Sequence, residues 1–315
     1  MGLLGLLIAL LAEQAWPLRS GHWTERKFAL LADWVRRQTD AGDREQGLLG
    51  WFILVGLATA LVALVHWGLG RLHGSVQLIF DVAILYGTIG FRRFSQAFSE
   101  IQVALAAADA NGAREALMRW IREFDPAFLA ATAPVPEICR VAIAHALVGA
   151  HRHVFAPIFW YLLLPGPIGP ILYRVADTLA QRWGFDYQTE AYGRFARRAY
   201  GWIDWLPVRL TAAGFAIVGN FEDAAYCWRG ARSAPPPADG DSQRSLVLAA
   251  GGGALGVRIA EPALEAQWAG GDLGFDWSGA IPDAAALRSA VGLVWRAVVL
   301  WLTFFGIITV SNWVG

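Results

Sequence analysis

Lysine is almost missing from this chain: Lys27 is the only one, and the other 25 of its 26 basic residues are arginines. Twenty-six acidic residues balance them, and charged residues make up only 17% of the sequence, against roughly 25% in soluble domains. The net charge is zero, and no nucleic-acid partner is expected from the arginine bias. Cysteine is scarcer still: Cys139 and Cys227 stand far apart in no CxxC or Cys/His spacing. That excludes a zinc ribbon and a disulfide framework, fits a reducing compartment, and leaves both as buried small apolar side chains. Also missing are a P-loop Lys-Ser/Thr, a Ser-His-Asp arrangement and paired carboxylates. What is abundant is apolar surface. The chain is 56% hydrophobic with 16 tryptophans and a mean hydropathy of +0.40, the profile of an all-α, polytopic helical integral membrane protein.

The apolar residues fall into runs of spanning length. Residues 48–69 form an uninterrupted one, and 75–91 follow after a short turn, so the two read as a transmembrane hairpin. Residues 291–310 form a last span, with Arg296 near its start and Trp313 placed for the interface. The first eleven residues are apolar but lack a basic n-region and a cleavage site, and they read as a retained helix.

A third run, 154–173, is nearly free of charge yet is interrupted by Pro165-Gly166-Pro167 and Pro170. Irregular backbone at membrane depth is tolerated only where protein or a polar cavity satisfies the freed carbonyls. Arginine-rich stretches at 13–47, 92–153 and 174–209 belong in the cytoplasm by the positive-inside rule, with the 70–74 turn and the C-terminus outside. With cytoplasm on both sides, 154–173 enters and returns as a broken or re-entrant helix; a plain kinked span with arginines outside is the alternative.

The remaining segments read as helical. Residues 95–124 repeat apolar side chains every 3.6 residues, with a break at Asn111-Gly112, as in a helix-turn-helix. Residues 184–205 keep the same rhythm, and 230–245 are a Pro-, Ser- and Asp-rich linker. The chain thus divides into an N-terminal membrane region (1–91), a cytoplasmic helical segment (92–153), the broken segment with its Pro-Arg corner (154–229), the linker (230–245) and a C-terminal segment (246–315).

Ionisable groups inside apolar runs are the first candidates for a site, because burying them is costly unless they pair. Asp81 sits mid-span in the second helix, with a structural hydrogen bond as the plainer reading. His66, near the end of the first, is explained by snorkelling. Arg152 and His153 lead into the broken segment and Arg174 and Asp177 leave it, so a re-entrant fold brings the two sets together. His145, His151 and His153 do not share a helical face, and no metal site is expected. Asp204, at the Asp204-Trp205-Leu206-Pro207-Val208-Arg209 corner, and Arg209 suit a phosphate or carboxylate ligand, or equally an interfacial salt bridge. The glycine-rich run 251–256 serves anion approach or close helix packing equally well.

Taken in order, these segments resemble one membrane superfamily, the CobD/CbiB adenosylcobinamide-phosphate synthases of cobalamin biosynthesis and their relative AmpE, a modulator associated with beta-lactamase induction. The resemblance rests on Ala156-Pro157-Ile158-Phe159-Trp160 before the Gly-Pro break, on Trp205-Leu206-Pro207-Val208-Arg209-Leu210-Thr211-Ala212, and on Gly253-Ala254-Leu255-Gly256-Val257-Arg258. The hairpin ending at Phe124-Asp125 is similar as well. It implies residence in the bacterial inner membrane with several passes. Synthases of this type join an amine to a corrinoid carboxylate and use nucleotide, magnesium and acidic ligands. Where they carry Glu-Asn and Asp-Gly ahead of the Ala-Pro motif, this chain reads Val148-Gly149 and Arg152-His153; their Asn-Thr-Leu-Asp corresponds to Asp177-Thr178-Leu179-Ala180; and Glu13-Gln14-Ala15-Trp16-Pro17 and His22-Trp23 follow the AmpE style. The expectation is therefore an AmpE-like sensor or signalling modulator. It would bind a small anionic or amphiphilic ligand through Arg152, His153, Arg174, Asp177, Asp204 and Arg209, and the chain is a possible homo-oligomer. The alternatives are the amide-forming synthase itself and a membrane scaffold.

Overall fold

The computed structural model describes residues 2–15, 22–39, 44–89, 91–121, 133–184, 190–233, 241–259 and 279–314. Residues 234–240 of the expected linker, the Trp16-Pro17 and Phe124-Asp125 pairs and the side chain of Trp313 lie outside them. Helices dominate throughout, and among the described residues the β structure is a single bridge between Val257 and Ala280. In chain order they are α1 (Gly2–Ala15), α2 (His22–Thr39), α3 (Arg44–Leu72), α4 (Gly74–Thr88), α5 (Phe91–Ala106), α6 (Ala110–Ile121), α7 (Val135–Ala150), α8 (Ala156–Leu163), α9 (Ile168–Leu179), α10 (Glu190–Ile203), α11 (Trp205–Val218), α12 (Phe221–Ser233), α13 (Ser242–Leu255) and α14 (Ala284–Val314). The chain forms two compact units, Met1–Gly90 with Arg152–Pro207 and Phe91–His151 with Val208–Gly315.

In the first unit α3 runs against α4, α9 and α10, while α1 packs on α4 and α8. α3 is long and apolar enough to cross a membrane over Glu45–Leu72, yet only 22% of its most apolar stretch is buried within the protein. A core helix of a soluble domain would hide that stretch; here Phe52, Leu57, Leu61, Leu64 and Trp67 face outward. α4 has 15 residues, about 22 Å at 1.5 Å per residue, and falls short of the roughly 30 Å hydrocarbon core. The second helix of the expected hairpin is therefore shorter than a span.

The broken run has a definite geometry. α7 continues through a single π-helical turn, His151–Phe155, into α8, the chain reverses at Leu164 to Pro167, and α9 returns through a second π turn, Ala180–Gly184. Reversal is read directly from Gly169, where an added Cβ would lie 2.1 Å from the Trp160 carbonyl oxygen; nine residues apart along a merely kinked helix, the two would not meet. Gly166 makes the turn possible, with φ +59, a left-handed conformation that side-chain-bearing residues rarely adopt. α10 then crosses the second π turn so closely that a Cβ on Gly193 would fall 1.6 Å from the Trp183 carbonyl oxygen. The core beneath is aromatic, with Trp51, Tyr173, Trp183, Tyr192 and Tyr200 buried among alanines.

In the second unit α5 and α6 form the expected helix-turn-helix, but the break comes at Ala107 to Asp109, with Ala108 left-handed, and not at Asn111-Gly112. Asp109 accepts from the Gly112 amide at 2.9 Å, so the Asn-Gly pair sits inside the first turn of α6 as capped helix. The glycine-rich run lies within α13, where a Cβ on Gly253 would meet the backbone of Asp223 and Ala224 on α12. Close packing accounts for it, and Gly256 ends the helix with φ +69. α14 is the second helix of membrane-crossing length, Ala284–Ile307, with 33% of its apolar stretch buried. Cys139 and Cys227 are both buried thiols, and burial, reinforced by Asp283 and Asp223 respectively, pushes them up to about 11 and about 12.

Candidate functional site

The returning helix α9 carries two linked polar networks. Tyr173, Asp177 and Gln181 recur every four residues and so share one face, with Arg174 one position aside. Asp177 is buried and accepts from Arg174 Nη1 at 3.1 Å, while Arg152 Nε stands 3.8 Å from its other oxygen. Gln181, with its amide oxygen turned to Arg152, accepts from Nη1 at 3.2 Å and Nη2 at 3.0 Å. Arg152 is carried by the π turn His151–Phe155.

A second network begins on the same helix. Tyr173 donates to Asp204 Oδ1 at 3.1 Å and lies 3.0 Å from the Tyr200 hydroxyl. With its one proton committed to the carboxylate, Tyr173 must accept from Tyr200, which sets the direction of the chain as Tyr200 to Tyr173 to Asp204. All three side chains are buried, where such chains polarise one another and an unpartnered member would be costly. The charge of Asp177 also acts on Tyr173. Arg152, Arg174, Asp177 and Asp204 thus belong to one polar region with two charges of each sign.

Five of the six expected ligand-binding residues lie in the first unit, four of them in this region. His153 is half-buried in the π turn next to Arg152. Asp204 is the one-residue break between α10 and α11, as the aromatic-acidic corner implied, whereas Arg209 lies past Pro207 in the second unit. There His151 Nδ1 meets Thr211 at 2.9 Å, both buried. Sequence reasoning missed Tyr173, Tyr200 and Gln181, although the i, i+4 spacing of Tyr173, Asp177 and Gln181 was a usable signal.

His66 corrects the snorkelling expectation. It is 7% exposed and its Nδ1 lies 2.7 Å from Asp81 Oδ1, also buried. A long flexible chain reaches the headgroups, but an imidazole two bonds from the backbone does not, so it needs a partner where it stands.

The residues do not fit a protein-held magnesium ion: Asp177 is engaged by two arginines and Asp204 by Tyr173, and among the described residues no group of three His, Cys, Asp or Glu side chains could hold a metal.

Fold and site together define a class: an all-helical protein with outward-facing apolar helices of membrane-crossing length and a buried arginine-carboxylate-tyrosine region on a helix broken by Gly and Pro. Within that class, residues 3–294 match the family model described as CobD/Cbib protein. A cobalamin biosynthesis protein CobD from Chromobacterium violaceum is 35% identical over 257 residues, covering 78% of this chain and 76% of the relative. Another from Stutzerimonas stutzeri is 29% identical over 308 residues, 94% and 93% of the two chains, and one from Photorhabdus laumondii is 26% identical over 81% of each. The chain belongs to the CobD/CbiB family. No solved structure matches it. These relatives are named for cobalamin biosynthesis and none of them for signalling, so the AmpE-like reading is without support among them and the synthase alternative fits better.

Proposed function

We propose that the chain is the amide-forming synthase of its family, an adenosylcobinamide-phosphate synthase type enzyme acting in the bacterial inner membrane. The observation that carries this reading is the family match across residues 3–294, with CobD relatives aligned over most of both chains. Arg152 and Arg174 are assigned the anionic end of a substrate, because paired guanidiniums braced by a carboxylate suit phosphate or carboxylate oxygens.

The reaction joins a corrinoid carboxylate to an amine. A nucleoside triphosphate transfers its terminal phosphoryl group to a carboxylate oxygen. The amine lone pair then forms the C–N bond as the C–O bond to phosphate breaks, phosphate leaves with that electron pair, and the nitrogen releases its surplus proton. Asp204, reached through Tyr200 and Tyr173, is assigned as the acceptor of that proton.

Purified chain in detergent or nanodiscs, supplied with corrinoid acid, amine and nucleoside triphosphate, is expected to yield the amide by mass spectrometry. Expression in a bacterium lacking its own synthase is expected to restore cobalamin synthesis. Failure of both with well-folded protein would overturn the assignment. Multi-pass insertion follows from the same reading: a cysteine at Ala107, in the exposed α5–α6 turn, labels from the cytoplasm, and one at His73, in the exposed α3–α4 turn, labels from outside.

A further inference from the structure

The Pro165-Gly166-Pro167 turn lies against a buried polar group that the site above does not use. A Cβ on Gly166 would stand 2.4 to 2.9 Å from three atoms of the His66 ring, so the imidazole fills the space that glycine leaves. That ring is held on both nitrogens: Nδ1 by Asp81 at 2.7 Å and Nε2 by Gln77 at 2.9 Å. As Gln77 Nε2 can only donate, it meets a lone pair on the ring; Nδ1 then carries the proton and donates it to the Asp81 carboxylate. A ring from α3, held by two side chains from α4, therefore lies against the turn, and the turn has the one residue type that admits it.

We infer that His66 and Asp81 are positioning residues: a latch that holds the Gly166 turn closed and so fixes where α9 begins. The inference rests on the proposed synthase site, since Arg174 and Asp177 follow on α9 within about 9 to 14 Å of its start at 1.5 Å per residue. A rigid helix carries an error at its first turn to those side chains undiminished. Where groups must be aligned, a misplacement of about 1 Å costs up to roughly two orders of magnitude in kcat/KM, and Arg174, assigned to the substrate's anionic end, places that loss in KM.

The latch predicts a local displacement that general destabilisation does not produce. Spin labels on cysteines at Leu163, exposed at the end of α8, and Leu57, on the exposed face of α3, report the turn relative to the hairpin by dipolar distance measurement. The parent is expected to give one narrow distance distribution. Asp81→Leu and Gly166→Ala, which attack the latch from opposite sides, are each expected to broaden or shift it in monodisperse protein. A distribution identical to the parent in both variants would overturn the latch, and if Asp81→Leu does not fold, Gly166→Ala decides alone. In the amide-forming assay the same variants are expected to raise KM for the anionic substrate at least fivefold with a smaller change in kcat. An inactive parent would remove the synthase reading and leave the distance test standing.

Discussion

Replacing Asp177 by Asn keeps the shape of the side chain and one acceptor while deleting the charge on which Arg152 and Arg174 converge. At an effective dielectric constant of about 20, unit charges at 3.1 and 3.8 Å attract by roughly 4–5 kcal/mol each before desolvation is counted. Part of that is never realised as net stability, because the neutral amide is also freed from the desolvation that the buried carboxylate carries. The arginine side chains are 17% and 14% exposed, so water compensates them only in part. Removing one partner of a buried pair costs about 3–5 kcal/mol, and the residual exposure places this case near the lower end. Asp177→Asn is thus expected to lower the thermal midpoint in detergent by roughly 6–12 °C, at about 2–4 °C per kcal/mol, followed by tryptophan fluorescence. The double variant with Arg174→Gln is expected to be more stable than the sum of the single effects by about 1–2 kcal/mol, since the second change removes a charge the first left uncompensated. A fall of less than 2 °C, or strict additivity, would refute the claim that these charges act as one unit.

Other outcomes follow from the same geometry. Tyr173→Phe removes the hydroxyl between Tyr200 and Asp204 and is expected to destabilise the fold by about 1.5–3 kcal/mol, the usual range for a hydrogen bond to a charged group; chemical denaturation of the first unit measures it, and an unchanged midpoint would count against the network. Gly193→Ala drives a methyl group into the Trp183 carbonyl, so α10 must lift from the second π turn, and a loss of at least about 1–3 kcal/mol is expected, read as lower yield and midpoint. Cys139 and Cys227, pushed up to about 11 and about 12 from an ordinary 9.0, are expected to resist maleimide at pH 8 in the folded chain and to react promptly once it is unfolded. Their neutral thiols favour the fold fully below pH 9, and that contribution is lost as pH rises through 11 and 12, so denaturant midpoints should fall over that alkaline range.

The helices and the reversal at 165–167 were legible because they depend on local chemistry. Apolar residues in long runs declare α3 and α14 without reference to anything else, and Pro-Gly-Pro declares an interruption wherever it occurs. Even the one local error is local in cause. Asn111-Gly112 looks like a break until Asp109, three residues earlier, is seen as a cap that moves the helix start ahead of it. What the sequence concealed were relations between helices. His66 and Asp81 are fifteen residues apart on different elements, and each taken singly has an innocent reading; only packing makes them a pair with Gly166 as the third member.

The AmpE-like expectation, which the relatives do not support, has a related origin. Acidic residues missing at particular motif positions pointed away from the synthase, and Arg152 in place of an acid seemed to confirm it. Yet a position in a motif specifies a place along the chain, whereas chemistry requires a place in space. Asp204 accepts from Tyr173, and Asp177, four residues along the same helix from that tyrosine, is approached by Arg152 from the π turn His151–Phe155. A substitution at one motif position can be offset by a side chain on another helix, and linear comparison of motifs has no means of seeing that. Identity spread over 257 and 308 residues is less sensitive to such exchanges, because it reflects the whole scaffold that decides which side chains meet. For that reason the chain-wide likeness to CobD proteins outweighs the local departures, and the arginine-carboxylate-tyrosine region, not the linear motif, is where mutation should be aimed first.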